Sequence, residues 1–371
     1  MSLLWGLLCN MFNFIDLNDF NLNEIQGLLE QAIKIKSNFK MFSKHLNGCI
    51  LASLFFEPST RTQFSFQAAM AKLGGQFLGF SNPNVSSISK GESFSDTVKI
   101  MGSYADLLVI RHSCDGAARA ATFCTDRSII NAGDGIHLHP TQTLADLLTL
   151  KQKKQGFSNL VVGVCGDLKF GRPVNSLVRA LCQFKGNSFV FISTEELKIS
   201  SFLKNFIERS HCDYVECNSL EQVISKLDVL YMTRVQRERF KNLDDYNKQK
   251  GYFKLTSKLL NLAKSNLLIL HPLPRVDEID CEVDSDCRAA YFLQAENGVY
   301  ARMALILKLI NGEFCKNDNE HDLKFKFEIL NRVCSNVNCI SRFEPSLPKR
   351  FVKKTNFLSC AYCDAKVENN E

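Results

Sequence analysis

The chain has 371 residues, 45% of them hydrophobic, and 45 Lys and Arg against 39 Asp and Glu give it a net charge of +6. That length exceeds one compact core of ordinary size and predicts two domains plus an appendage, while the composition excludes a disordered chain. The modest positive balance suits small anionic substrates, and no dense Lys/Arg run argues for nucleic acid as a partner.

Residues 1–12 are apolar but carry no basic n-region and are too short to span a bilayer. They read as an extension, with Met11 an alternative start. No other window is apolar enough for a membrane helix, so no membrane partner and a cytoplasmic location are expected. The 15 cysteines are mostly scattered singly, as at Cys165, Cys182 and Cys212. Reduced thiols, rather than a disulfide framework, follow from that pattern.

An amphipathic helix is predicted over 22–36. Short β-rich runs then alternate with helical patterns, with strands predicted over 49–56, 76–80, 106–110 and 128–131, and again over 160–165, 188–192, 229–233 and 267–270. Apolar strands separated by helices imply parallel sheets covered on both faces. The fold class is therefore α/β, with two doubly wound parallel-sheet domains linked by helices. The expected domains are 1–140, completed by a returning helix over 296–311, and 141–295. A polar stretch over 312–326 reads as a linker, and 327–371 as a small C-terminal module.

Between the first strand and its helix the chain reads Phe-Phe-Glu-Pro-Ser-Thr-Arg-Thr over 55–62. The helix that follows carries Phe64, Ala68, Ala69 and Leu73 and ends at Gly74 and Gly75. Ser59, Thr60, Arg61 and Thr62 bring three hydroxyls and a guanidinium to a helix start, where unpaired backbone amides and the helix dipole favour an anion. Read from these residues alone, Ser59 or Thr60 is equally an ordinary N-cap and Arg61 a surface residue.

The same stretch resembles the carbamoyl-phosphate signature of the aspartate and ornithine carbamoyltransferases. Further similar stretches follow in the family's order. They are Lys90-Gly91-Glu92, Arg111-His112, His139-Pro140-Thr141-Gln142, Gly-Asp-Leu-Lys-Phe-Gly-Arg over 166–172, Arg234-Val235-Gln236, His271-Pro272-Leu273-Pro274-Arg275 and Gln294-Ala295-Glu296-Asn297-Gly298.

The resemblance implies an enzyme that moves the carbamoyl group of carbamoyl phosphate to the amine of L-aspartate, in pyrimidine biosynthesis, with no cofactor required for catalysis. It implies that Ser59, Thr60, Arg61, Thr62 and Arg111 bind the phosphate, and that Thr62, Arg111, His139 and Gln142 face the carbamoyl group. It further implies that the polar loop with Ser86 and Lys90 reaches a neighbouring subunit's site, so the expected assembly is a homotrimer with shared sites. Arg172, Arg234 and Gln236 are the implied contacts of the dicarboxylate, guanidinium forks being suited to carboxylates. Leu273, followed by Pro274, would offer its backbone carbonyl to the amine.

Two other readings stand beside this one. An ornithine carbamoyltransferase would have an Asp, a Ser-Met-Gly loop and a His-Cys-Leu-Pro segment; here Met232-Thr233-Arg234 and His271-Pro272-Leu273-Pro274 replace the last two, and two arginines repel a cationic side chain. A non-catalytic assembly paralogue would be expected to lose Arg61, Lys90 or His139, all of which are present.

In the tail, Cys334 and Cys339 are followed after 20 intervening residues by Cys360 and Cys363. Two such pairs match a closed, structural four-thiolate zinc site, with chance clustering or a redox pair as the alternatives. The tail also resembles the zinc domain of the regulatory chain that accompanies some aspartate carbamoyltransferases. That chain's nucleotide-binding half has no room between Gly312 and Val333, so CTP and ATP are expected to have little effect. A linker that isolates the module predicts that metal removal unfolds the module alone, spares basal activity and dissolves any assembly larger than a trimer.

Overall fold

The computed structural model describes residues 12–313 except 238, 239 and 241, together with 327–354 and 357–367. The linker expected over 312–326 lies outside these residues apart from Gly312 and Glu313, as do residues 1–11. The chain divides into two compact units, Met1–Thr141 with Val299–Glu371, and Gln142–Gly298.

The first unit starts with α1 (Leu22–Ser37), whose Asn21 and Glu24 form a reciprocal capping box and whose Ile25, Leu28, Leu29, Ala32 and Ile35 are buried. Next come β1 (Ile50–Phe55), α2 (Thr60–Lys72), β2 (Gln76–Phe80), α3 (Phe94–Tyr104), β3 (Leu107–His112), α4 (Ala117–Ala121) and β4 (Ser128–Asp134). The sheet order is β2-β1-β3-β4, all parallel. In such a sheet ligands bind beyond the carboxyl ends of the strands at the switch point, here between β1 and β3. The buried face of α2 is Gln63, Phe66, Ala69 and Met70, while Phe64 is 60% exposed.

The second unit takes up α5 (Pro140–Lys154) from Gln142 onward, then β5 (Val161–Cys165), α6 (Arg172–Leu181), β6 (Ser188–Ile192), α7 (Ser201–Arg209), β7 (Asp213–Cys217) and β8 (Val229–Met232). It ends with α8 (Leu243–Gln249), α9 (Ser257–Leu260), β9 (Leu268–Leu270) and α10 (Tyr291–Ile310), which runs on into the first unit. Its parallel sheet has the order β7-β6-β5-β8-β9, with the switch point between β5 and β8.

Two elements depart from the sequence reading. Strand β7 was not expected, because Asp-Tyr-Val-Glu-Cys lacks the apolar run of a buried strand; it stands at the sheet's edge, where none of its residues is fully buried. Helix α10 begins at Tyr291, ahead of the expected 296, although Gly298 falls inside it. Buried amides explain this: Gln294 donates to Asp146 at 2.5 Å, and Asn297 donates to Thr149 and Gln152 at 3.0 Å each. These bonds outweigh the roughly 1 kcal/mol that a glycine costs in a helix.

The tail adds β10 (Phe327–Ile329), α11 (Ile340–Phe343), β11 (Arg350–Lys353), β12 (Leu358–Cys360) and β13 (Lys366–Val367), the strands forming an antiparallel sheet in that order. This module is not isolated. It shares one core with the first unit, in which Ala117, Ala118, Ala121 and Ile129 pack with Ile340, Leu347, Phe351 and Tyr362. The Arg350 guanidinium lies 3.9 Å from the ring centre of Phe123 and 4.4 Å from that of Phe327. An expectation built on a linker's composition missed this docking, because its contacts are between residues distant in sequence.

Candidate active site and metal centre

In the first unit the switch point is lined by the residues the sequence singles out. The chain leaves β1 at Phe55, and the N–H groups of Phe56 and Glu57 both donate to the Arg111 carbonyl, at 2.8 and 3.3 Å. Pro58 then turns the chain, and Ser59 enters α2 in an extended conformation. The Ser59 side chain makes no cap bond to the helix amides. Its Oγ donates instead to Thr62 Oγ1 at 3.1 Å. A helix start whose hydroxyls do not take its own amides keeps those amides for an anion. Thr60 and Arg61 are exposed there, and Thr62 is half-buried.

Arg111 sits near the end of β3 and is buried. The β3–β4 register shifts between Ile110 and His112, and the side chain turns to donate from Nη1 to the Ala132 carbonyl at 3.2 Å. Its Nη2 lies 3.4 Å from Glu57 Oε2, and Nη1 lies 3.5 Å from Nε2 of buried His139. An arginine only donates, so in a hydrogen bond across this contact Nε2 of His139 is the acceptor. Arg111 and His139 thus come together, with Ser59 to Thr62 following the neighbouring strand. Ser86 and Lys90 lie apart, on two short turns ahead of α3; Ser86 Oγ donates to the Pro83 carbonyl at 2.7 Å, and Lys90 is exposed.

In the second unit Arg172 opens α6 and is buried, and Arg234 and Gln236 follow β8 on the other side of that unit's switch point. Asp167, which the sequence reading left out of the site, ties the two loops together. Its Oδ1 accepts from Phe170 N at 3.0 Å and its Oδ2 from Gln236 N at 3.2 Å. Burial raises the Asp167 carboxyl above its ordinary value, while those amides and Arg234 pull the other way. Gln142 turns to Asp146, donating at 2.8 Å to a carboxylate that also accepts from Tyr231.

After β9, Leu273 takes a positive φ of 53°, with a cis bond to Pro274. The turn is held by His271, whose Nδ1 accepts from Leu273 N at 2.7 Å and whose Nε2 meets Glu278 at 2.6 Å. Glu57 and Asp167 lie inside two of the family-like stretches and Glu278 outside them, but what each carboxylate holds shows only once the fold supplies its cation or amide.

In the module, Cys334, Cys339, Cys360 and Cys363 are all buried, and their sulfurs lie within 4.8 Å of one another. Cys334 and Cys363 are 3.6 Å apart, and Cys339 and Cys360 3.7 Å. A disulfide needs about 2.05 Å. Zinc–thiolate bonds of about 2.3 Å in a tetrahedron place sulfurs about 3.8 Å apart. The cluster therefore has the size and chemistry to hold a metal ion, and four protein ligands leave it closed to substrate.

Comparison with known proteins agrees with this geometry. Residues 13–152 match the aspartate/ornithine carbamoyltransferase carbamoyl-P binding domain, and residues 158–309 the Asp/Orn binding domain of the same family. The chain belongs to the aspartate/ornithine carbamoyltransferase family. Within it the chain sides with the aspartate branch, and its activity is that of an aspartate carbamoyltransferase. It is 50% identical over 299 residues to the aspartate carbamoyltransferase catalytic subunit of Clostridium botulinum (strain Eklund 17B / Type B), covering 80% of this chain and 97% of that one. It is 51% identical over 301 residues to the catalytic subunit of Clostridium novyi (strain NT), covering 81% and 98%. The catalytic subunit of M. jannaschii aspartate transcarbamoylase superposes with a TM-score of 0.75 at 40% identity, covering 84% of this chain and 100% of that one. The Trypanosoma cruzi aspartate transcarbamoylase, solved with N-(phosphonacetyl)-L-aspartic acid, does so with 0.75 at 34%, covering 80% and 94%. Neither family match reaches the cysteine module.

Proposed function

We propose that carbamoyl phosphate binds at the first unit's switch point and L-aspartate at the second's, as substrates of de novo pyrimidine synthesis in the cytoplasm. The observation that carries this is the pairing of Arg111 with His139 beyond β3, beside the open helix start at Ser59 to Thr62. Ser59, Thr60, Arg61, Thr62, Arg111 and the amides of α2 take the phosphate. Thr62, Arg111 and His139 meet the carbamoyl oxygen. Arg172, Arg234 and Gln236 take the two carboxylates, and the Leu273 carbonyl, ahead of Pro274, accepts from the amine. Gln142 acts through Asp146 by fixing the first turn of α5.

The neutral amine attacks the carbonyl carbon, a C–N bond forms, the bond to the phosphate oxygen breaks, and the amine proton leaves with the phosphate. Negative charge grows first on the carbonyl oxygen and then on phosphate. Preorganised donors aimed at such charge contribute about 3–4 kcal/mol each.

The domains we assign are 1–140 with 296–311 for carbamoyl phosphate, 141–295 for aspartate, 312–326 as linker and 327–371 as a zinc module. A homotrimer completes the sites, Ser86 and Lys90 entering a neighbour's. Large apolar side chains favour such an assembly: on α2, edge strand β2 and α3, Phe64, Phe77, Ile100 and Tyr104 are 43–60% exposed. The zinc module allows a higher assembly still.

Mixing subunits tests the shared site. Arg61→Ala and Lys90→Ala proteins, each inactive alone, should regain activity when their subunits exchange, because some sites then combine one intact half from each. If exchange is proven by mass and no activity returns, each site is made within one chain.

A further inference from the structure

The module's hydrogen bonds converge on the segments that carry the proposed carbamoyl-phosphate residues. Asp115, between β3 and α4, is a buried carboxylate held from two sides. From the module, Asn336 Nδ2 donates to its Oδ2 at 2.8 Å and Asn338 Nδ2 to its Oδ1 at 3.1 Å. The two backbones are joined as well, Asp115 N donating to the Asn338 carbonyl at 2.9 Å and Ile340 N to the Asp115 carbonyl at 3.0 Å. From the other side, Asp115 Oδ1 accepts from Ile136 N at 2.9 Å, inside the loop that leads to His139.

Space around this joint is fully used. A side chain at Gly135, where φ is +50°, would begin 1.7 Å from Asp115 Oδ1, and one at Gly116 would begin 2.5 Å from the Tyr362 backbone. Gly116 N donates in turn to Asp134 Oδ2 at 2.7 Å, and Asp134 Oδ1 accepts from Leu138 N at 3.3 Å, one residue before His139. A second strut lies beyond the Lys90 turn. Glu344 Oε2 accepts from Phe94 N, the first amide of α3, at 2.8 Å, and Ser346 Oγ meets Ser95 Oγ at 2.8 Å.

We propose that Asp115 is a positioning residue for His139 and that Asn338 and Glu344 make the module an intrachain brace of the carbamoyl-phosphate site. The module then does more than join subunits: its own asparagines fix the loop that aims His139. This rests on the reading that His139 serves that site. None of the bracing side chains is a metal ligand, so the brace can be cut with the thiolate cluster intact.

The test compares Asn338→Ala, Glu344→Ala and Glu344→Gln with the parent full-length enzyme, measuring metal content and the KM for each substrate. Losing Asn338 should raise the KM for carbamoyl phosphate about tenfold, the scale of a hydrogen bond to a charged group, and change that for aspartate less than about twofold. Glu344→Ala should raise the same constant, and Glu344→Gln, which keeps an acceptor for Phe94 N, should recover most of it. A purely structural role would lower the active fraction, and so kcat, without moving KM. If Asn338→Ala loses its metal, the Glu344 pair decides. The brace is overturned if these alanine variants keep metal and a parental KM for carbamoyl phosphate. A parental KM and rate in His139→Ala would instead overturn the role given to His139.

Discussion

Arg61→Ala lowers kcat roughly 10²-fold or more, the scale of a lost charge-stabilising donor, and leaves the melting temperature near that of the parent. The second half of that expectation follows from exposure: Arg61 is an exposed residue of the first turn of α2. Arg111→Ala, by contrast, lowers both activity and stability. It removes the donor to Ala132, the contact with His139 and the cation facing Glu57 in one step. Arg111 is the buried member of this pair, and removing it takes away a cation that the half-buried Glu57 faces. Lysine cannot rescue Arg111, since one ammonium cannot reach the carbonyl, the imidazole and the carboxylate that a planar fork serves together. Rates and melting curves of the two alanine variants separate the cases. A near-parental rate in Arg61→Ala removes Arg61 from the mechanism.

Metal removal has the second large effect, and the structure changes what it should be. Without its ion, a small module whose core centres on four thiolates loses the interaction that folds it. Because Ile340, Phe351 and Tyr362 share a core with Ala117, Ala118 and Ile129, the first unit is uncovered at the same time. Calorimetry before and after a thiol-reactive mercurial should show the first unit's transition shifted down by about 2–8 °C, the response to a loss of one to two kcal/mol in a domain of this size. Carbamoyl-phosphate affinity should fall with it. An unchanged transition would restore the isolated module that the linker's composition suggested. Metal analysis of freshly prepared protein that finds no zinc would remove the site itself.

The elements legible in the sequence were those with strong local signals. Apolar runs such as Val-Val-Gly-Val-Cys at β5 and Ile-Leu-Ala-Ser-Leu-Phe at β1 are short and bounded by turn residues, which favours buried strands over helices. The cysteine pairs announced their cluster by spacing alone. Strand β7 was missed because an edge strand tolerates Asp213 and Glu216. The start of α10 was missed because its buried amides pair with α5, far away in sequence. The docking of the module was least legible of all. Asp115 and Asn338 are separated by 223 positions; Asp115 lies outside every motif, and Asn338 sits between two cysteines whose spacing says nothing of Asp115. Glu57, Asp167 and Glu278 were hidden for the same reason, since a positioning carboxylate is defined by the groups that the fold brings to it.

The enzyme transfers a carbamoyl group to aspartate. Carbamoylation assayed with L-aspartate and L-ornithine side by side, on protein of known metal content, tests it most directly. The expected products are N-carbamoyl-L-aspartate and phosphate in equal amounts, with ornithine turned over at background, because Arg172 and Arg234 attract carboxylates and repel a side-chain ammonium. Comparable turnover of ornithine would contradict this.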